Sequence, residues 1–169
     1  MSASGSGGGV QSGSAAIADR LLTMWTRLSP RPGGRWLFSR MLGRMIPYTG
    51  SMHALVTELE RGRARVVLRE HRAIRNHLGS VHAAALTNLG ELASGLALMT
   101  SAPPDVRGIP IRLTTEFFKK ARGVLVAEST ASFPRATEPI EHEAVAEVRD
   151  EAGDVVARVT AVWRVAPLE

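Results

Sequence analysis

The chain has 169 residues, 44% hydrophobic and 22% charged, with no cysteine. That suffices for one domain with a substantial core and excludes disulfides, thiolate metal sites and cysteine nucleophiles. The net charge of +5 arises within residues 1–50, where Arg20, Arg27, Arg31, Arg35, Arg40 and Arg44 face one acid, Asp19; the remainder carries fifteen basic and fifteen acidic side chains. The pI of about 10.9 therefore does not predict nucleic-acid binding, because the folded body has no excess charge to offer phosphates.

The first sixteen residues hold no Lys or Arg, so no secretory signal is expected. No apolar run is long enough to span a bilayer: Val81 to Met99 is interrupted by Asn88, Glu91 and Ser94. Together with the lack of cysteine, this gives a cytoplasmic protein as the expectation.

Residues 1–14 form a Gly/Ser tail with nothing to bury and are expected to be disordered. Residues 15–47 read as a basic, amphipathic helical arm. Ile17, Leu21, Met24, Trp25 and Leu28 recur at helical spacing. Ser29 to Gly34 breaks that helix, and a second covers Arg35 to Met45. The arm has two readings: helices packed on the body, or an interfacial segment making weak contact with an anionic membrane surface.

Residues 48–169 read as the main domain. His53 to Glu60 and Arg63 to Glu70 flank the turn Arg61-Gly62. Val81 to Met99 is the one long helix of the body, with Ser80 as its expected N-cap. Four strands follow, over Ile109–Lys120, Val124–Phe133, Ile140–Arg149 and Val155–Val165. One helix among many strands predicts an α+β fold, with an antiparallel sheet wrapped around the long helix.

The chemically informative stretch runs from Arg75 to Glu91. A polar, Gly-containing loop leads into an apolar helix that then carries one carboxylate, Glu91, beside Leu89, Leu92 and Ala93. Desolvation in such company raises a carboxyl pKa, which suits a base or nucleophile near neutral pH. The start of the helix presents N–H groups where its dipole favours a developing oxyanion. Each residue also has a plainer reading: Glu91 as an ion-pair partner, His82 as a capping or core histidine, Asn76 as a turn residue, Asn88 as a group orienting Glu91 or facing a second subunit. His71, His77 and His82 are spaced by six and five, which does not align two metal ligands on one helix face, so no metal is expected.

Asn76, His82 six residues on, and Glu91 nine after that resemble the phenylacetyl-CoA thioesterase branch of the hotdog proteins. The fit runs from about Ser51 to Val165. It is closer still to an uncharacterised hotdog branch known by a domain-of-unknown-function label, with loops similar to Arg75-Asn76-His77 and Ser80-Val81-His82. The resemblance implies hydrolysis of an acyl-CoA thioester, with coenzyme A entering only as part of the substrate. It makes Glu91 the catalytic carboxylate, Asn76 the residue that positions water or substrate, and His82 the histidine beside the oxyanion site. The Ala83 N–H polarises the carbonyl. His77, Gly79 and Asn88 border the substrate, and Phe118, Lys119, Lys120 and Arg122 border the CoA channel. It also implies a homodimer or a dimer of dimers with the site between subunits. Two departures stand out: Ala83-Ala84 replaces a Gly-Gly pair, and Gly95 stands where some relatives carry a hydroxyl. A 3-hydroxyacyl thioester dehydratase or hydratase using His77 and Glu91, and a non-catalytic acyl-CoA or lipid binder, are the alternatives.

Overall fold

The computed structural model describes residues 14–168; the Gly/Ser tail over 1–13 lies outside them. The arm consists of α1 (Ser14–Leu28), α2 (Gly34–Met45) and a one-turn α3 (Pro47–Gly50). Pro47 opens α3, because proline lacks only an N–H that the first turn leaves unpaired anyway. The body comprises β1 (Leu55–Glu60), β2 (Arg63–Arg69), α4 (Ala83–Thr100), β3 (Val106–Phe117), β4 (Val124–Thr130), β5 (Ile140–Arg149) and β6 (Val155–Pro167). Among the described residues no helix is long and apolar enough to cross a membrane.

The strands form one antiparallel sheet in the order β1-β2-β4-β5-β6-β3. All six strands reach α4, so the sheet curves around that helix as the residue pattern predicts. Leu89, Ala93 and Ala97 of α4 are fully buried against Val66, Leu125 and Val148 of the sheet. A smaller cluster around Leu98, Val106, Phe133 and Trp163 closes the far end of the helix.

Small side chains let α4 approach the sheet closely. A Cβ at Gly90 would lie 2.3 Å from the Cγ2 of Val159, a buried β-branched side chain with little rotamer freedom.

The arm is packed into this body. Leu21, Phe38 and Leu42 belong to the main core, and Trp25 meets Phe38 edge-on at 5.1 Å. The Val56 N–H donates to Ser39 Oγ (2.9 Å), pinning β1 to α2. Asp19 pairs with Arg61 at 3.1 Å.

Some boundaries differ from the sequence reading. α4 begins two residues late, with His82 and not Ser80 as its N-cap. Ser80 is held by Asn76, and Val81 is extended in a bridge to Arg75. β3 is displaced toward the N-terminus because its register along β6 starts at Val106↔Pro167. β4 stops at Thr130, leaving Phe133 to fill the smaller core while its N–H donates to Ser101 Oγ.

Gly90→Ala gains helix propensity but overpacks the helix–sheet contact. It should destabilise the protein by about 1–3 kcal/mol in urea unfolding. Adding Val159→Ala should recover part of that loss relative to additivity; strict additivity would show that the two positions do not clash.

Candidate active site

Beyond its first two residues, α4 is buried almost all round. The exceptions are Thr87, Asn88, Glu91, Gly95 and Met99, each only half-buried. Their spacing by three and four places them on one face. Two elements flank this stripe: β3, through Thr115 Oγ1 at 2.8 Å from Thr87 Oγ1, and α3, where Thr49 Oγ1 accepts from Asn88 Nδ2 at 3.2 Å.

Glu91 is the only charged side chain of α4. Among the described residues it forms no ion pair, so its reading as an arginine partner does not hold. Burial pushes its carboxyl above the ordinary carboxylate range. Gly95, one turn on, borders it: a Cβ there would lie in ordinary contact, 3.6 Å from Glu91 Oε1 and 3.7 Å from Cζ2 of Trp163. Two buried polar atoms on this side of the helix, Asn88 Oδ1 and Trp163 Nε1, have no hydrogen-bond partner among the described residues. An unsatisfied buried donor and acceptor beside a desolvated carboxyl mark a place where a polar group from outside the chain can bind. Trp163 escaped the sequence reading; its one signal is a bulky, N–H-bearing ring in the Ala- and Val-rich β6.

The loop before α4 supplies the second half of the site. Asn76 Oδ1 accepts from the N–H groups of Leu78 (2.9 Å) and Ser80 (3.2 Å), and its Nδ2 donates to Ser80 Oγ (3.0 Å). In this chain Asn76 therefore shapes the loop, as a turn residue does. Gly79 reverses the backbone at φ 65°, leaving His77 and Leu78 exposed. His82 caps α4 by accepting the Ala84 N–H on Nδ1 at 3.1 Å. The capping reading of His82 is thus realised, with Nε2 left exposed. The Ala83 N–H finds no acceptor among the described residues. It is the free donor at the positive end of the helix dipole.

The segment after β3 docks on this loop. The Val81 N–H donates to the Ala121 carbonyl (2.9 Å), and Arg122 Nε donates to the Gly79 carbonyl (3.0 Å). His77, Gly79, His82, Ala83 and Arg122 are thereby gathered at one end of α4. Phe118 is half-exposed beneath the Arg158 guanidinium, 5.7 Å from its ring centroid. The four-residue basic and aromatic cluster divides. Lys119 Nζ lies 2.6 Å from carboxylates of both Asp150 and Asp154, which hold its ammonium charged and turned toward the β5–β6 hairpin. Lys120 is exposed and unpaired among the described residues. β3 ends at Phe117, so this division comes from the loop and the Asp pair rather than from strand alternation.

The two halves do not meet within one chain. Eight residues separate Ala83 from Glu91, about 12 Å along the helix axis at 1.5 Å per residue. No single thioester carbonyl spans that gap.

Comparison with solved structures identifies the fold. PA5026 of Pseudomonas aeruginosa, described as a protein of unknown function and probable thioesterase, superposes with a TM-score of 0.69 at 24% identity over 77% of this chain and 93% of its own. A mutant of the phenylacetic acid degradation protein PaaI of Thermus thermophilus gives 0.60 at 20% identity over 70% and 97%. The structural-genomics protein APC5556 gives 0.76 at 30% identity over 90% and 100%. The fold is the hotdog fold. Within it, residues 34–165 match the domain of unknown function DUF4442, and the chain belongs to that family. The match starts at α2, whose Phe38 and Leu42 lie in the core. Comparison with curated proteins finds no match.

The raised Glu91 pKa has a sign that stability measurements can read. The folded state holds the proton more tightly than the unfolded chain. Glu91 therefore costs nothing below the ordinary carboxylate pKa and destabilises the fold as pH rises through its raised folded value. Glu91→Gln should melt higher than wild type at pH 8, and the difference should shrink toward pH 4. A pH-independent difference would mean that Glu91 is not desolvated.

Proposed function

We propose that this protein hydrolyses acyl-CoA thioesters and does so as a homodimer whose active sites are shared between subunits. The observation that carries the reading is Glu91: an unpaired, desolvated carboxyl on the one open stripe of the central helix. Glu91 takes a proton from water, and the resulting hydroxide attacks the thioester carbonyl. The Ala83 N–H holds the oxyanion, and the thiolate departs with the proton from Glu91. Trp163 Nε1 and Asn88 Oδ1 are the unsatisfied groups next to this reaction. Phe118, Lys120 and Arg122, with His77 and Gly79, receive the CoA portion. The thioesterase neighbours support the reaction class.

The sheet supports the dimer. β3 is an edge strand of twelve residues, with one side unpaired and Ile109, Ile111, Leu113 and Phe117 exposed. A long apolar edge invites pairing with another strand. Leu113 lies opposite Ala161 and Thr115 opposite Val159, so both share the sheet face that meets α4. Two β3 edges joined antiparallel about a two-fold axis extend the sheet and set the two α4 helices in opposite directions. The Ala83 end of one then lies beside the Glu91 of the other.

Two substitutions test the chemistry, with a thiol reagent reporting turnover of a panel of acyl-CoA thioesters. Glu91→Gln should lower kcat by about a hundredfold or more with the fold intact. Ala83→Pro removes only the free N–H. Ala83 is the first helical residue, where proline is favoured, and His82 already has the φ −65°, ψ 142° that proline requires before it. It should cost roughly 10²–10³ in kcat. Wild-type turnover in either variant would remove that residue from the mechanism.

Leu113→Arg should yield monomers by light scattering and abolish activity. A monomeric wild-type protein, or an active monomeric variant, would contradict the shared site.

A further inference from the structure

A cavity of about 550 Å³ lies between the arm and the outer edge of the sheet, bordered by α2, α3, β1 and β2. Its volume falls within the ~300–1,000 Å³ of small-ligand pockets. Leu42, Leu55, Val67 and Leu92 give it an apolar interior. It exists because α2 and α3 cross at two glycines: a Cβ on Gly43 would lie 2.9 Å from the Gly50 Cα.

Three guanidinium side chains, Arg40, Arg44 and Arg69, also line this cavity. None has a carboxylate partner among the described residues; on β2 this sets Arg69 apart from Arg63 and Arg65, which are both paired. Arg40 lies over the ring of Trp36, 5.7 Å from its centroid, and Trp36 lines the cavity while remaining 61% exposed. The same wall holds His53, the only non-glycine residue with positive φ (58°) among the described residues. Strain at such a residue persists where the surroundings enforce it and is often found at ligand sites.

We propose that this cavity binds a single-chain amphiphile with an anionic head, a carboxylate or phosphate. The alkyl chain fills the apolar interior, and Arg40, Arg44 and Arg69 hold the head. Guanidinium forks suit both head groups, and an apolar interior beside unpaired cations matches both ends of such a molecule. A second copy of the chain is a poor occupant: residues 1–50 carry six Arg against one Asp, so arm against arm sets like charges together. Glu91 and Asn88 do not line the cavity, although their neighbours Leu92 and Thr49 do; the proposal does not depend on the chemistry proposed for Glu91.

Calorimetric titration of the full-length protein with dodecanoate and dodecyl phosphate, below micelle formation, tests this. At least one should bind saturably, one per chain, and the tighter identifies the head group. Dodecyltrimethylammonium, with the same chain and opposite charge, and butyrate, with the head alone, should not saturate. Arg40→Ala with Arg44→Ala should weaken binding roughly tenfold or more, the effect of losing charge-assisted contacts, while leaving turnover of a short acyl-CoA unchanged. Val67→Phe should fill the cavity and abolish binding, with the melting temperature showing that the fold persists. Glu91→Gln should bind as wild type does. Loss of binding in Glu91→Gln would place the ligand at the hydrolytic site and overturn the proposal. So would equal affinity for the cationic amphiphile, or undiminished binding in both cavity variants. If neither anionic probe binds, but the protein adsorbs to phosphatidylglycerol vesicles and not to phosphatidylcholine vesicles, the arginines serve a membrane face and the cavity is not a ligand site.

Discussion

A carboxylate on an otherwise uncharged helix, half out of water and without a counter-charge, is an electrostatic cost that the fold carries in every molecule. Glu91 sits where the curved sheet and the arm both stop short of covering α4. Its neighbours follow from that position. Gly95 and the indole edge of Trp163 border the carboxyl, and Asn88 is held by Thr49 with its oxygen unsatisfied among the described residues. A fold selected for stability alone would place an apolar residue at position 91, and the unpaired carboxyl found there among the described residues is what supports the catalytic role proposed for it.

The same helix supplies the other polar feature at its start. His82 takes the Ala84 N–H, and Ala83 is left with the free one. The two features lie too far apart on one helix to act together, and the unpaired edge of β3 offers the means of bringing two copies into register. In the proposed dimer, desolvated acid, free N–H and sticky edge become parts of one arrangement, which none of them explains alone. In that proposal Ala83-Ala84 serves in place of a Gly-Gly pair, because N–H donation requires the amide and not a missing Cβ.

The body of the fold was legible because its signals are local. Arg61-Gly62 and the Asp150–Asp154 turn announce hairpins, and both form. The apolar run around Leu89 makes a helix long enough to be recognised by length. What escaped depends on contacts distant in sequence. Ser80 looks like a helix cap until Asn76 claims its hydroxyl. Lys119 looks like a phosphate ligand until Asp150 and Asp154 close on it from across the sheet. The ends of β3 are set by β6, and Trp163 matters only because the sheet carries it to Glu91 and Gly95. The position of Glu91 was legible from its apolar neighbours; the uncovered stripe around it was not. Arg40 and Arg44 read as part of a basic arm, and only the crossing of α2 and α3 beside β2 brings them together with Arg69.

The central claim is that one subunit's amide and the other's carboxylate make one site, and subunit complementation tests it most directly. Glu91→Gln and Ala83→Pro proteins are each inactive in this account. Unfolded together and refolded as an equimolar mixture, they form mixed dimers with one intact site and one doubly defective site. The account predicts recovery of about a quarter of wild-type activity, from one intact site in the half of the dimers that are mixed. A refolded mixture that contains mixed dimers and stays as inactive as its parents would show that Ala83 and Glu91 do not act on one substrate from two subunits.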